Sequence, residues 1–377
     1  MILTQCAVCA TELGLTLGKK CGRCSTRYCG AECQKQHWEG GGHDKLCKKI
    51  KKAGGAEQYN ANKRYTEAVA VAVEKCADDT KGQTCYICTQ ALHWKTKEGL
   101  VRMCSCRGTA GFAHVSCLAE QAKILFAEAE ENNLGNKMLC EKWTRWHTCS
   151  LCEQEYHSVV RCALGWACWK TYLGRPEADR ILCWAINQLG NGLGAVGHHA
   201  DALPVQEAEL SMLRRVGASH AHVLTVQNNI ASSYHRLGRL EESLSIRRDI
   251  YSEWLRFFPK GNRESLRAAT NYAACLNALQ RFEQAKRLLR EVVPVAQRLV
   301  GDTDGVTLTL RANYAEALYA NDDATLDDLR EAVTTLEDIE RIARRVFGGA
   351  HPLVVQFEAA LRLAREILRA CETLRGA

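Results

Sequence analysis

The sequence predicts a mostly α protein in which two small, cross-braced cysteine-rich modules precede an α-solenoid of helical hairpins. Three observations predict this class. Sixteen of the 21 cysteines lie before residue 153, mostly in close pairs. After about residue 160, apolar residues recur at intervals of three and four, the spacing of one buried helix face. The same part repeats itself about every 42 residues, which indicates units that stack on one another.

The cysteines indicate metal sites rather than disulfides. The chain begins MILTQCAVCA, without the basic and apolar blocks of a signal peptide. We therefore expect a cytosolic or nuclear protein whose thiols stay reduced. Paired cysteines in a reducing compartment predict zinc. No apolar run approaches the roughly 20 residues of a membrane crossing, so no membrane partner is expected.

The net charge of +7 does not predict a nucleic-acid partner. Residues 1–52 carry ten Lys and Arg against four Asp and Glu, which accounts for +6 of it. Two zinc ions bound by seven thiolates add a net charge of about −3 per module, and two such modules cancel most of the excess. We find no sequence motif of a covalent catalyst, so no catalytic nucleophile is expected.

Residues 6–47 contain eight regularly spaced donors. Two Cys-x2-Cys pairs are followed by a Cys-x3-Cys pair and by His43-x3-Cys47. The x2 spacing lets one metal bind both sulfurs, and the x3 spacing places two donors on one face of a helical turn. Interleaving predicts two sites: Cys6, Cys9, Cys29 and Cys33 on one zinc, and Cys21, Cys24, His43 and Cys47 on the other.

The stretch CSTRYCGAECQKQHWEGGGHDKLC (24–47) resembles the MYND zinc finger. Tyr28 before a ligand cysteine and the CQKQHW helix carry the likeness. The glycines at 40–42 lengthen the gap before His43 and leave His37 as an alternative ligand. We assign a MYND-type domain to residues 1–50. The resemblance implies binding of short proline-rich peptides from partner proteins.

A second series of eight donors spans residues 85–152, with a histidine in fifth place. The order is Cys-x2-Cys, Cys-x-Cys, His-x2-Cys and Cys-x2-Cys. His114 is expected to be a ligand because Cys117 lies one helical turn away and that site needs a fourth donor. The predicted sets are Cys85, Cys88, His114 and Cys117 on one zinc, and Cys104, Cys106, Cys149 and Cys152 on the other. Four protein ligands close each site, so all four zinc ions are expected to be structural.

The gaps of one and seven residues within CSCRGTAGFAHVSC (104–117) make this series resemble the RING-CH (RING-variant) finger of ubiquitin ligases. A PHD-like finger is the alternative. We assign residues 81–157 to this domain. The resemblance implies docking of a ubiquitin-conjugating enzyme through Ile87 and Leu151, with Trp143 or Trp146 as the aromatic member. Packing of the small core is the alternative role of the two tryptophans.

Between the modules, residues 51–80 predict a linker helix, and residues 160–377 predict helical repeats. NIASSYHRLGRLEES (229–243) realigns with NYAACLNALQRFEQA (271–285), and NYAEALYAN begins at 313. Glycines are expected at the turns, and the last helix is expected to cap the stack. Most of the cysteines outside the zinc series are expected to be buried: 76, 140, 162, 168, 183, 275 and 371.

The period resembles kinesin-light-chain-like tetratricopeptide repeats. In that family the position of Asn229, Asn271 and Asn313 lines a groove that binds an extended peptide; bonding to neighbouring helices is the alternative. Ala231, Ala273 and Ala315 fit close helix packing. The functional hypothesis is a RING-type ubiquitin ligase that recruits protein or peptide substrates through these repeats and the MYND finger. The alternatives are a non-enzymatic interaction adaptor and a chromatin reader.

Overall fold

A computed structural model describes residues 5–11, 13, 18–176, 178–258, 261–349 and 351–376. The chain is mostly helical and divides into two compact units, Met1–Ser233 and Tyr234–Ala377. The predicted class, cysteine-rich modules followed by helical hairpins, is confirmed. Among the described helices, none combines the length and the apolar character that a membrane crossing needs.

The first cysteine-rich segment has little regular structure beyond a two-stranded ribbon and two helices. Strand β1 (Lys19–Lys20) pairs antiparallel with β2 (Arg27–Tyr28), and helices α1 (Ala31–Glu39) and α2 (His43–Lys52) follow. Its core is small, with Tyr28 fully buried in one cluster with Cys6, Cys24 and Cys47. Such a core is too small to hold the segment together without bound metal.

Helix α3 (Ala56–Cys76) lies between the two cysteine-rich segments and packs against α6 (Ser158–Tyr172). Its buried face carries Tyr65 and Val69. The Lys170 ammonium lies 3.7 Å from the centre of the Tyr65 ring, which adds a cation–π contact. The segment predicted as a linker helix is therefore a packed part of the first unit.

The second cysteine-rich segment is built around α4 (Val115–Glu131) and α5 (Asn136–Trp143), with a 3₁₀ turn at Thr144–Trp146. Isolated bridges pair Val101 with Ala113 and Thr148 with Glu155. Helix α4 packs against α5 and α6, burying Leu118 and Phe126. The apolar residues that recur along the sequence after Cys117 thus form the face of α4 that packs against α5 and α6.

The first unit continues through α6 into α7 (Arg180–Ala195), α8 (His199–Arg215) and most of α9 (His220–Arg236). Helix α7 packs on α6 and on α8. The expectation that glycines mark turns is wrong in α7, where Gly190, Gly192 and Gly194 lie within the helix. A side chain at Gly192 would meet the Arg161 carbonyl oxygen at 3.0 Å, so a small residue is needed for the close approach of α6.

The second unit is a run of antiparallel helices, each packed on the next. They are α10 (Leu240–Phe257), α11 (Arg263–Ala278), α12 (Phe282–Val300), α13 (Gly305–Tyr319), α14 (Leu326–Phe347) and α15 (Pro352–Gly376). Ala273 in α11 and Ala315 in α13 are fully buried, as predicted for closely packed helices. Phe357 of α15 packs into the apolar core of α13 and α14, so the last helix covers the end of this unit.

Candidate metal centres

The four Cys-x2-Cys pairs share one backbone turn. In each, the first cysteine donates its N–H to the carbonyl five residues on and accepts at its own carbonyl from the N–H four residues on. The fourth residue after that cysteine has a left-handed conformation although it is not glycine. These four residues are Ala10, Ser25, Thr89 and Glu153, with φ between 56° and 61°. Such a conformation is unfavourable for these residues, so the surrounding structure must fix it.

The first group brings together the sulfurs of Cys6, Cys9, Cys29 and Cys33, all within 4.8 Å of one another. The Cys9 and Cys29 sulfurs lie 3.5 Å apart, as do those of Cys29 and Cys33. A zinc–sulfur distance of about 2.3 Å gives a tetrahedral edge of about 3.8 Å, whereas a disulfide is about 2.05 Å long. The Thr11 hydroxyl, 3.0 Å from the Cys9 sulfur, lowers the pKa of that thiol to about 6, which favours the thiolate that a metal binds.

The second group is buried at all four donors and consists of Cys21, Cys24, His43 and Cys47. The Cys21 and Cys47 sulfurs are 3.9 Å apart, and Nε2 of His43 lies 3.4 Å from the Cys24 sulfur. Burial lowers the pKa of His43 and so favours the neutral ring that binds zinc. The geometry places Nε2 of His43 among the donors.

His37, the alternative ligand, lies outside this group. Its Nδ1 is 3.0 Å from the Tyr28 hydroxyl, and its ring centre lies 4.9 Å from that of His43. Tyr28 is fully buried, so His37 supplies the hydrogen-bond partner that a buried phenol requires. His37 thus supports the site without entering it.

The third group contains Cys85, Cys88, His114 and Cys117. Nδ1 of His114 lies 3.4 Å from the Cys88 sulfur and 3.6 Å from that of Cys117. Its Nε2 is 3.3 Å from the Ala91 carbonyl oxygen. A proton on Nε2 donated to that carbonyl leaves Nδ1 free to bind metal, the usual outer support of a zinc-bound histidine.

In the third group, burial and the closeness of the sulfurs disfavour thiolates that have no cation beside them. Burial, and then the neighbouring Cys85, raises the pKa of Cys117. Several thiolates this close repel one another unless a cation compensates them. The Ile87 N–H donates to the Cys85 sulfur at 3.4 Å, which adds to the stabilisation of the thiolate.

The fourth group contains Cys104, Cys106, Cys149 and Cys152, with the sulfurs of Cys106 and Cys149 3.8 Å apart. The Leu151 N–H donates to the Cys149 sulfur at 3.4 Å, as Ile87 does in the third group. A Cβ at Gly111 would lie 2.6 Å from that of Cys106, so only glycine fits against this site. In both segments the donor pairs alternate between two sites, which is the predicted cross-brace. The four groups fit zinc by donor type, spacing and burial.

The residues predicted to dock a conjugating enzyme differ in exposure. Ile87 is half-buried and Leu151 is 51% exposed, and both lie inside a Cys-x2-Cys turn. Trp143 and Trp146 are buried in an aromatic cluster with Phe126. Core packing therefore accounts for the two tryptophans.

Two apolar side chains near the third group are exposed, and no pattern in the sequence predicted their exposure. Leu92 is 59% exposed and Trp94 is 69% exposed, on the chain between Cys88 and Cys104. An apolar residue outside a periodic pattern carries no information on exposure, so only the structure identifies this surface.

The three predicted groove asparagines each lie in the first helix of a predicted repeat. Asn229 is half-buried in α9, and its Nδ2 donates to Asn191 Oδ1 at 3.3 Å. Asn271 is half-buried in α11. Asn313 is 8% exposed in α13, and its Nδ2 donates to the Thr270 carbonyl at 3.1 Å. Asn229 and Asn313 therefore bond to neighbouring helices, and a role of all three asparagines in binding peptide stays a prediction.

Residues 6–47 match the MYND finger family. No curated protein matches the chain. Among solved structures, a candidate kinesin light chain of Podosopora anserina with nearly identical TPR-like repeats is 16% identical, with a TM-score of 0.42, covering 62% of this chain and 97% of that one. BtubC (BKLC) from P. vanneervenii is 13% identical, with a TM-score of 0.41, covering 70% of this chain and 89% of that one. Because both TM-scores are below 0.5, the helical-hairpin arrangement is inferred from the helix–helix contacts within this chain and not from these structures.

Proposed function

We propose that the chain is a protein-interaction adaptor, in which zinc-held modules and helical hairpins each offer a binding surface. The observation that carries this proposal is that sixteen donors form four sets of four. A zinc ion with four protein ligands has no open position for a substrate, so its role is structural. Each bound ion contributes on the order of 10 kcal/mol to folding of its segment.

Two surfaces are proposed to take partners. On the MYND finger, Trp38 is 44% exposed on α1 beside the second metal group, and its ring lies 5.7 Å from that of His43. An exposed aromatic ring suits the proline-rich peptides that the MYND resemblance implies. On the repeats, the recurring position of Asn229, Asn271 and Asn313 is proposed to bind the backbone of an extended peptide, and Asn271 in α11 is the position chosen for the variant.

A peptide selection on the purified full-length chain tests the adaptor proposal. Selected peptides are re-measured against Trp38→Ala and Asn271→Ala, with Gln297→Ala on the exposed face of α12 as the matched control. We expect two classes of peptide, each weakened about tenfold or more by one of the two variants and unaffected by the control. Failure to select any peptide that responds to either variant would overturn the proposal.

A ubiquitin ligase of the RING type is the second candidate, and a specific observation favours it. Residues 85–152 hold two interleaved metal groups, and their two outermost Cys-x2-Cys turns carry Ile87 and the exposed Leu151. In such a ligase the finger binds a conjugating enzyme and holds its ubiquitin thioester in a reactive conformation. The rate gain comes from positioning alone, without a covalent intermediate on the chain.

The two candidates are separated by incubating the chain with ubiquitin, activating enzyme and a panel of conjugating enzymes. A ligase forms ubiquitin chains, and Leu151→Ala abolishes them while the zinc content stays at the native value. Val71→Ala, which removes a similarly exposed apolar side chain from α3, is the matched control. Absence of ubiquitin chains with every conjugating enzyme leaves the adaptor alone.

A further inference from the structure

A cavity of about 470 Å³ opens between α7, α8 and α9 in the first unit. Its walls include the half-buried ring of Trp184 and the apolar side chains of Leu213, Val216 and Val226. The volume falls within the range of about 300–1,000 Å³ that is typical of ligand pockets. None of the sixteen cysteine and histidine donors of the four metal groups lines this cavity.

One carboxyl in the cavity wall has an unused acceptor atom. Glu209 on α8 is only 3% exposed. Its Oε1 accepts a hydrogen bond from Asn187 Nδ2 at 3.1 Å, whereas Oε2 has no hydrogen-bond partner among the residues that the structure describes. Burial raises the pKa of Glu209 to about 8. A buried carboxyl with one unsatisfied oxygen is unfavourable for folding, which makes Glu209 a candidate for function.

Three asparagine side chains form a row of hydrogen bonds that ends at the Glu209 carboxyl and sets its orientation. Asn229 donates to Asn191, Asn191 donates to Asn187 at 2.9 Å, and Asn187 donates to Glu209. The amide oxygens of Asn191 and Asn187 each accept a hydrogen bond in this row, so Asn187 presents its N–H₂ group to Oε1. Oε1 is thereby occupied, and Oε2 is the atom left for a ligand.

The other charged and titratable groups that line the cavity lie on the neighbouring helices. They are Arg180 and Cys183 on α7 and His222 on α9. Arg180 is exposed, its guanidinium lies over the Trp184 ring, and it donates to Asn136 Oδ1 at 2.7 Å. His222 is exposed. The cationic partner that Glu209 lacks is therefore not supplied by Arg180, which is held by Asn136 and Trp184.

We propose that this cavity binds the side chain of a lysine from a partner peptide, with Glu209 as its counter-charge. The alkyl stem lies against the apolar walls and the ammonium donates to Oε2. Arginine fits less well, because its planar fork needs two acceptors and Oε1 is already bonded to Asn187. The proposal rests on the adaptor function only in that a partner protein supplies the lysine.

Binding must release a proton near neutral pH. The free protein holds the proton of Glu209, and an ammonium at Oε2 stabilises the carboxylate, so the carboxyl proton passes to the buffer. The ammonium itself stays charged because its ordinary pKa is about 10.4. Affinity for the amine should therefore rise about tenfold per pH unit from about pH 6 to 8 and then level off.

Titration calorimetry of the full-length chain with Nα-acetyl-lysine N-methylamide tests the proposal, using two pH 7 buffers of different ionisation enthalpy. We expect release of close to one proton per bound amine. The matching norleucine amide, which lacks only the ammonium, should bind at least about tenfold more weakly and release none. Equal binding of the two amides, or no binding of the lysine amide, would overturn the proposal.

Variants separate Glu209 from its neighbours. Glu209→Gln keeps the acceptor for Asn187 and should remove both the proton release and the preference for lysine. Glu207→Gln makes the same carboxyl-to-amide change on the same helix, outside the cavity lining, and should bind as the native chain does. His222→Gln should leave the pH slope unchanged; if it flattens the slope instead, His222 rather than Glu209 titrates and the proposal is wrong. None of these outcomes depends on the peptides selected above, so failure here leaves the adaptor proposal standing.

Discussion

His43 and His37 lie six positions apart, and their rings nearly touch, yet they serve different groups. His43 closes a set of three sulfurs, and His37 meets the Tyr28 hydroxyl. Spacing alone favoured His43, because His43-x3-Cys47 places both donors on one helical face. Spacing could not exclude His37 as the ligand. The orientation of α2 depends on the turn at Gly40–Gly42, where Gly42 has a left-handed φ of 70°, and donor spacing carries no information on that turn.

We expect His43→Ala to lose one zinc per chain relative to the native protein, because three sulfurs cannot close a tetrahedral site. His37→Ala should keep the native zinc content and lose only about 1 kcal/mol of stability from the unpaired Tyr28 hydroxyl. Elemental analysis of the purified variants, with unfolding curves, measures both. Loss of zinc in His37→Ala with retention in His43→Ala would reverse the assignment.

Glu209 also determines a pH dependence of folding. Its folded-state pKa of about 8 lies above the ordinary value of 4.5. Between these values the unfolded state is ionised and the native state keeps its proton. The free energy of unfolding therefore falls as pH rises from about 5 to 8, by about 1.4 kcal/mol per unit from this group, and then levels off.

Glu209→Gln should remove this slope and be more stable than the native chain at pH 8, since the amide has no charge to bury. Urea unfolding followed at pH 5, 6, 7 and 8 gives the difference between the two proteins. Glu207→Gln, on the same helix, is measured alongside as the control for a carboxyl-to-amide change. A constant offset between Glu209→Gln and the native chain would mean that Glu209 ionises normally.

At the scale of elements, glycine lets α6 and α7 approach closely. A Cβ at Gly165 would lie 2.8 Å from the Gln188 carbonyl oxygen, and one at Gly192 would lie 3.1 Å from Cys162 Cα. At Gly194, two residues on in the same helix, a Cβ would meet no described atom within 4 Å beyond its chain neighbours and the backbone of its own helix. The sequence indicated glycine turns here because a glycine inside a helix leaves no periodic signal that distinguishes packing from a break.

We expect Gly165→Ala and Gly192→Ala each to destabilise the first unit by about 1–3 kcal/mol, because the added methyl meets backbone atoms that cannot move aside. Gly194→Ala, the matched control, should stabilise α7 by about 0.5–1 kcal/mol through helix propensity. Thermal unfolding of the three variants ranks their stabilities. Equal effects at all three sites would show that the α6–α7 approach is not limiting.

On the scale of the whole chain, local donor spacing was enough to predict the four metal groups, and periodicity was enough to predict the hairpins. Both signals lie within short stretches. The packing of α3 on α6 joins Tyr65 to Lys170, about a hundred positions away, and no local pattern reports such a contact. Glu209 was missed for the same reason, since an acidic residue on an amphipathic helix predicts a solvated face.

The two units should respond differently to metal removal. All sixteen donors lie in the first unit, and the second is held by apolar contacts such as those of Leu289, Leu336 and Phe357. A strong zinc chelator should therefore unfold residues 5–52 and 85–157, because each segment loses metal binding that its small core cannot replace.

Hydrogen exchange read by mass spectrometry measures this peptide by peptide. Protection should fall in the two cysteine-rich segments, fall partly in α3 and α6, which pack beside them, and stay unchanged from α10 to α15. Chelator saturated with zinc beforehand is the control, and added zinc should restore protection. A uniform loss of protection along the chain would mean that the metal groups stabilise the helical hairpins of the second unit as well. Unchanged exchange in residues 85–157 would show that the second cysteine-rich segment folds without metal.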